Sequence, residues 1–580
     1  MPSLGISLSP YFCYERLKFN AIVVSSLSSF KQQQAKMNLN HIASQGSAPT
    51  QKLDVIIIGA GLGGMYQLFR VRELGMSVRV IEAGSDVGGT WYWNRYPGAR
   101  FDSESYSYGY SFSKELLQEW EWTEHFAPQP ETLRYAGFVA DKFKLRQDIL
   151  FNRKLVSAEW NETTRDWHLT LDTGERMVAQ FLITAIGPLS VPTLPNIPGV
   201  RDYTGIACHT ANWPHEPVSF AGKRVAVLGT GATGIQTIQE VAKTVGHLTV
   251  FQRTANWSAP LHNGLITDEQ QRTIKASYAD IFKRCHENVS GFLHNPDPRR
   301  GVDVSEQERK ELWEKLYKER GFSVSVGNFC DLLTSPQTNA WMSEFIADKI
   351  RERVKDPVTA ERLIPKSHGF GTRRLPLESG YFEAYNQPNV ELVDLRETPI
   401  ERITATGIKT TERDFEFDMI IYATGFDALT GAYDQIDFRG IKGQSLKDQW
   451  AAGAKTFHGF QNAGFPNLLM ILGPMGALGN IPRSLEYNVE WVSQLLAYMK
   501  TKKLSRVEAS AESVEGWMDV VKAASVGLLA NDVDSWMTGV NKNVEGKSVR
   551  VLARYAGTGP EFRARCDAVA AGGYAELDLT

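Results

Sequence analysis

The 580-residue chain, 42% hydrophobic and 22% charged, has the length for two or three domains and the composition of an ordinary folded protein. Its formal net charge of -3 excludes an overall field that would recruit nucleic acid or an anionic membrane, and no run of about 18 uncharged apolar residues is present to span a bilayer. Five scattered cysteines without a C-x-x-C pair argue against a zinc site and a dithiol centre; no metal is expected, and a reducing, cytoplasmic setting is.

Residues 1–50 are Ser- and Gln-rich and read as a poorly ordered extension. Arg16, Lys18, Lys31 and Lys36 against the single acid Glu15 leave a targeting peptide as the alternative, with Met37 as another start. The apolar run at 53–58 then feeds into Gly59-Ala60-Gly61-Leu62-Gly63-Gly64, and Met65, Leu68, Val71 and Leu74 recur at helical spacing up to Gly75. A strand at 78–81 completes a βαβ unit. Glycine at 59, 61 and 64 allows a tight turn, close approach to a pyrophosphate and packing of helix on strand. Glu82, about 20 residues beyond the turn, can accept hydrogen bonds from both hydroxyls of an unphosphorylated ribose, so this unit is expected to hold FAD.

The pattern recurs at 224–228 and Gly229-Thr230-Gly231-Ala232-Thr233-Gly234, with a helix carrying Ile235, Ile238, Ala242 and Val245. Here the next strand, 248–252, ends in Arg253 with Thr254 beside it. A guanidinium in that place suits a 2′-phosphate and predicts NADP. Residues 265–354 read as mainly helical, with a capping box at Ser305 and Glu308 and shared faces at Leu312, Trp313, Leu316, Tyr317 and at Trp341, Met342, Phe345, Ile346.

Three further segments carry a family resemblance. Tyr203-Thr204-Gly205-Ile206-Ala207-Cys208-His209-Thr210-Ala211-Asn212-Trp213-Pro214 resembles the fingerprint F-x-G-x-x-x-H-x-x-x-W-P/D of the type I Baeyer–Villiger monooxygenases, with Tyr203 in place of Phe. Residues 89–102, from Gly89-Thr90-Trp91 through Tyr96-Pro97-Gly98 to Asp102, match that family's G-x-W-x-x-x-x-Y-P-G-x-x-x-D. Residues 369–376 resemble its segment of paired basic side chains. The resemblance implies that Arg374 is the catalytic arginine and Asp102 its partner, that Arg373 meets the NADP 2′-phosphate, and that Thr90, Trp91, Asp102, Asp427 and Trp491 line the cofactors. It makes 420–427 the strand that returns the chain to the FAD domain, with 182–187 its weaker counterpart. His209 is expected to make a structural hydrogen bond rather than serve as a base.

The expected fold is α/β, with two Rossmann-like dinucleotide-binding domains for FAD and NADP and a helical insertion. The FAD domain would comprise residues 51–195 and 395–580, the latter with a C-terminal segment, and the NADP domain residues 196–264 and 356–394, with the helical insertion at 265–355 inside it. The implied reaction is FAD- and NADPH-dependent insertion of one atom of dioxygen beside a ketone carbonyl, in a monomer without nucleic-acid partners. Alternatives are an N- or S-oxygenating flavin monooxygenase, whose relatives carry Tyr or Phe in place of Trp213, and a flavin-bound NADPH sensor.

Overall fold

The computed structural model describes residues 52–580; the readings made for residues 1–50 lie outside them. Two sheets organise the chain. In the larger, Arg176–Thr184, Lys52–Ile58, Val78–Ile81 and Ile149–Leu150 run parallel, and Leu155–Asn161 and Asp166–Leu171 join Arg176–Thr184 as an antiparallel meander. The late strands Asp437–Arg439 and Leu468–Met470 complete it. Val55, Ile56 and Ile57 are fully buried, as a strand covered on both faces requires. The second sheet is parallel throughout, in the order Val390–Asp394, His247–Gln252, Arg224–Leu228, Met419–Tyr422, Ile206–His209.

This pairing moves one expected boundary. Met419–Tyr422 lies between two strands of the second sheet, so the second nucleotide unit extends past residue 394. The chain recrosses at Phe426–Asp427, which pairs antiparallel with Val191–Pro192 from the first crossing. An apolar strand satisfies either sheet equally, and only its hydrogen-bond partners distinguish them.

The helical stretch also divides. Glu306–Lys318 and Pro336–Arg353 bury Trp313, Leu316, Met342 and Ile346 in the core of the second unit. Asp268–Glu287 instead packs Ile274, Tyr278 and Ile281 against Tyr106 and Leu117 of the first. The insertion thus spans both units, and the capping box at Ser305 and Glu308 forms.

Glycine governs the first helix, Leu62–Glu73. A Cβ on Gly64 would lie 1.8 Å from the carbonyl oxygen of Gly59, whereas one on Gly516, exposed within the helix Ala511–Ser525, would meet nothing within 4 Å. The same substitution should therefore have opposite signs. Gly64→Ala is expected to destabilise by about 1–3 kcal/mol through overpacking, and Gly516→Ala to stabilise by about 0.5–1 kcal/mol through helix propensity. Paired denaturant unfolding measurements check both.

Candidate functional site

At the first turn the backbone leaves Ile58 through Gly59, whose φ of +99° lies in the region that favours glycine. Glu82, buried at the end of the adjacent strand, accepts the Ala60 N–H on Oε2 and the Gly84 N–H on Oε1, both at 2.6 Å. Burial nevertheless pushes its pKa up. Gly89 lies directly against Gly61, where a side-chain carbon would meet the Gly61 Cα at 2.7 Å. It opens the short helix Thr90–Trp93, on which Thr90 is exposed and Trp91 donates its indole N–H to the Tyr108 hydroxyl at 3.2 Å. The cradle has the backbone approach and ribose carboxylate that an FAD adenosine diphosphate needs.

The second turn is closely similar. Gly229 has φ +105°, Thr230 donates to the Thr254 carbonyl at 3.0 Å, and the space beside Gly231 is open to 4 Å. A Cβ on Gly59 would strike the Ala185 carbonyl at 2.6 Å, and one on Gly229 the Ala423 carbonyl at 2.5 Å. The 182–187 and 420–425 segments thus play matching parts, one beside each turn. Arg253 is exposed, and its charge acts on Arg373. Burial pulls the pKa of Arg373 down, Arg253 lowers it further, and Asp534 opposes them. Arg253 at the end of its strand and Arg373 on a loop near it offer two positive charges that suit a phosphate dianion.

Asp102 and Arg374 form an ion pair. Asp102, with a fully buried side chain, accepts Arg374 Nη2 on Oδ2 at 2.7 Å and the Leu377 N–H on the same oxygen at 3.2 Å. Burial raises the Asp102 pKa against the opposing pull of Arg374. The arginine side chain stays 37% exposed, its guanidinium 6.0 Å above the Phe322 ring. Asp102 follows Phe101, which stacks on Tyr108 at 4.0 Å. Phe322 and the Leu377 N–H carried no signal in the sequence, since neither sits in a motif.

The remaining expected residues are placed as follows. Gly205 packs tightly on Tyr203, whose hydroxyl donates to the Phe417 carbonyl. His209 is buried at the crossing, and its Nδ1 accepts the Ala211 N–H at 3.0 Å. Burial lowers its pKa to about 4 despite the carbonyls of Thr193 and Gly425. Trp213 is buried in the second core near Phe220. Asp427 ends the crossing ribbon with its Oδ1 accepting from Lys547 Nζ at 2.5 Å. Trp491 requires correction. On the long helix Ile481–Lys502 it stacks on Phe460 at 4.2 Å and donates its N–H to the Cys566 carbonyl, 2% exposed among Val489, Val492 and Leu495. It is a core side chain and lines no cofactor cleft. Among the described residues no cluster of His, Cys, Asp or Glu could hold a metal, and no helix is long and apolar enough to cross a membrane.

Comparison with known proteins agrees with this architecture. Residues 53–317 match the family described as pyridine nucleotide-disulphide oxidoreductase. The 2-oxo-Delta(3)-4,5,5-trimethylcyclopentenylacetyl-CoA monooxygenase of Pseudomonas putida is 42% identical over 92% of this chain and 99% of its own. A Baeyer-Villiger monooxygenase of Pseudooceanicola batsensis is 38% identical over 90% and 96%. A crystal structure of OTEMO complexed with FAD and NADP superposes with a TM-score of 0.88 at 42% identity, covering 91% of this chain and 99% of that one.

The depressed His209 pKa carries a pH dependence. A histidine held neutral when folded contributes stability that is complete above its unfolded value near 6.5 and is lost as pH falls towards 4. The melting temperature is expected to drop across that window. In His209→Asn, whose amide oxygen can replace Nδ1 as acceptor, the drop should be smaller. Thermal melts of both proteins at pH 4.5 and 7 check this.

Proposed function

This chain belongs to the Baeyer–Villiger monooxygenases, FAD- and NADPH-dependent enzymes, and from that premise we propose that Arg374, oriented by Asp102, is the residue on which its oxygen insertion turns. The carrying observation is the fully buried carboxylate that holds the guanidinium of a partly exposed arginine. Gly59, Gly61, Gly64 and Glu82 would hold FAD, with Thr90 and Trp91 beside it. Gly229, Gly231, Gly234, Arg253, Thr254 and Arg373 would hold NADPH, the arginines selecting it over NADH through the 2′-phosphate. FAD bound there and reduced by NADPH supplies the activation of dioxygen.

The protein's task is positional and electrostatic. Asp102 Oδ2 binds Nη2 of Arg374 and the Leu377 N–H together, so the guanidinium plane is referenced to the backbone of its own loop. Its remaining N–H groups can meet negative charge on the attacking oxygen and on the ketone oxygen as that carbon becomes tetrahedral. Migration of the adjacent carbon to oxygen then yields an ester, or a lactone from a ring. One ketone, dioxygen, NADPH and a proton become ester, water and NADP+. His209, with its depressed pKa and committed Nδ1, is left as a structural residue of the crossing.

A cytoplasmic monomer acting on a small-molecule ketone is the setting proposed. Four unpaired cysteines among the described residues, three of them buried, suit a reducing compartment.

Arg374→Ala is expected to retain FAD, to be reduced by NADPH at a near-normal rate, and to lose ester formation by about 100-fold or more. Rapid-mixing absorbance with parallel product quantification separates the two half-reactions. Normal ester yield from this variant would reject the assignment and turn attention to Arg373.

A further inference from the structure

The segment Leu468–Met470 and its continuation to Asn480 link the neighbourhood of the first turn to that of Asp102. At one end Ile471 packs against Gly63, where a Cβ would lie 3.1 Å from its Cγ2. At the other, Asn480 donates to the carbonyl and hydroxyl oxygens of Ser107 at 3.4 and 3.3 Å. Ser107 lies on the short helix Ser105–Tyr108, whose Tyr108 stacks on Phe101 beside Asp102. Gly291 packs on Asn480, and the adjacent Phe292 lies 4.9 Å from Phe322, the ring beneath Arg374.

One charged residue is attached to the middle of the 468–480 segment. Tyr555 pairs in parallel with Ala477 and donates its N–H to the Gly476 carbonyl at 3.4 Å. Its ring enters the core against Trp517 and Phe562, and the preceding residue, Arg554, stands at a bend of the chain beside that bridge. Arg554 is half-buried and, among the described residues, has no hydrogen bond or ion pair from its side chain. Burial alone acts on its pKa, downward, with no carboxylate near enough to offset it. Arg373 and Arg563, the other arginines with a net downward shift, each have an opposing acid, Asp534 and Asp567. A guanidinium in this state has its donors free for an anion.

We propose that Arg554 recognises the substrate, and that the ketone this enzyme oxidises carries an anionic group, of the carboxylate class, which the guanidinium binds while the carbonyl faces Arg374. The inference rests on the ketone-oxygenating reading above and adds the substrate class to it. Arg554 orients and selects; it takes no part in the bond changes. A planar guanidinium offers a carboxylate two parallel hydrogen bonds, so the anion also sets which side of the carbonyl faces the attacking oxygen.

The test uses the FAD-loaded full-length enzyme and a matched pair, a cyclic ketone with a carboxymethyl side chain and the methyl ester of the same compound. The wild type is expected to prefer the acid by about ten-fold or more in kcat/KM, with the difference mainly in KM. Arg554→Met should abolish that preference, and Arg554→Lys should keep part of it, since a point charge retains attraction without the fork. Calorimetric titration of the acid into the oxidised enzyme reads binding without turnover and should weaken by a similar factor in Arg554→Met. Equal handling of acid and ester by the wild type, or an unchanged preference in Arg554→Met, overturns the proposal. So does a variant whose only defect is loss of FAD or a raised KM for NADPH, which would assign the charge to a cofactor. Acid binding that depends on Arg554 in an enzyme forming no ester would sustain the anion site and refute the oxygenating reading instead.

Discussion

A buried carboxylate has to be paired, and in this protein the partner comes from the other nucleotide-binding unit. Asp102 belongs to the loop that follows the first turn; Arg374 and the Leu377 N–H come from the loop that leads towards the last strands of the second sheet. Leaving such a carboxylate without its arginine would cost about 3–5 kcal/mol, so the pair constrains how the two loops meet. It also fixes where the cation sits, because the oxygen that binds the guanidinium binds a backbone N–H as well.

The same economy of parts appears in the two turns. Each has a left-handed first glycine packed on a backbone carbonyl from a later segment, Ala185 for Gly59 and Ala423 for Gly229. They differ at the end of the second strand, where the buried Glu82 stands in one and the exposed Arg253 in the other. In the function proposed above, that exchange of charge separates a site for ribose hydroxyls from one for a ribose phosphate. The crossing between the units is held by Phe426–Asp427 on Val191–Pro192, with Lys547 on Asp427 and the Asn541 amide on the Phe426 carbonyl. These contacts suit a joint that lets the halves adjust about a fixed ion pair.

Much of this was legible in the sequence because glycine and strand-end charge are local signals. The turns, the charged residues at the two strand ends and the 89–102 and 369–376 segments could be read from spacing and resemblance without knowing any contact. The assignment of Met419–Tyr422 to the second sheet could not, since an apolar strand carries no mark of its neighbour. Trp491 was misread although the sign was present: Val489, Val492, Leu495 and Leu496 surround it at helical spacing, the pattern of a buried helix face. Arg554 lies in no motif, and its isolation from any acid is visible only once the fold is known.

The account stands on Asp102 acting through Arg374. A double-mutant cycle on single-turnover ester formation, with Asp102→Asn, Arg374→Ala and the two combined, measures that dependence directly. If the carboxylate serves to hold the guanidinium, Asp102→Asn slows ester formation in the presence of Arg374 and has no further effect once the arginine is gone. Independent losses that multiply in the double variant would contradict the account.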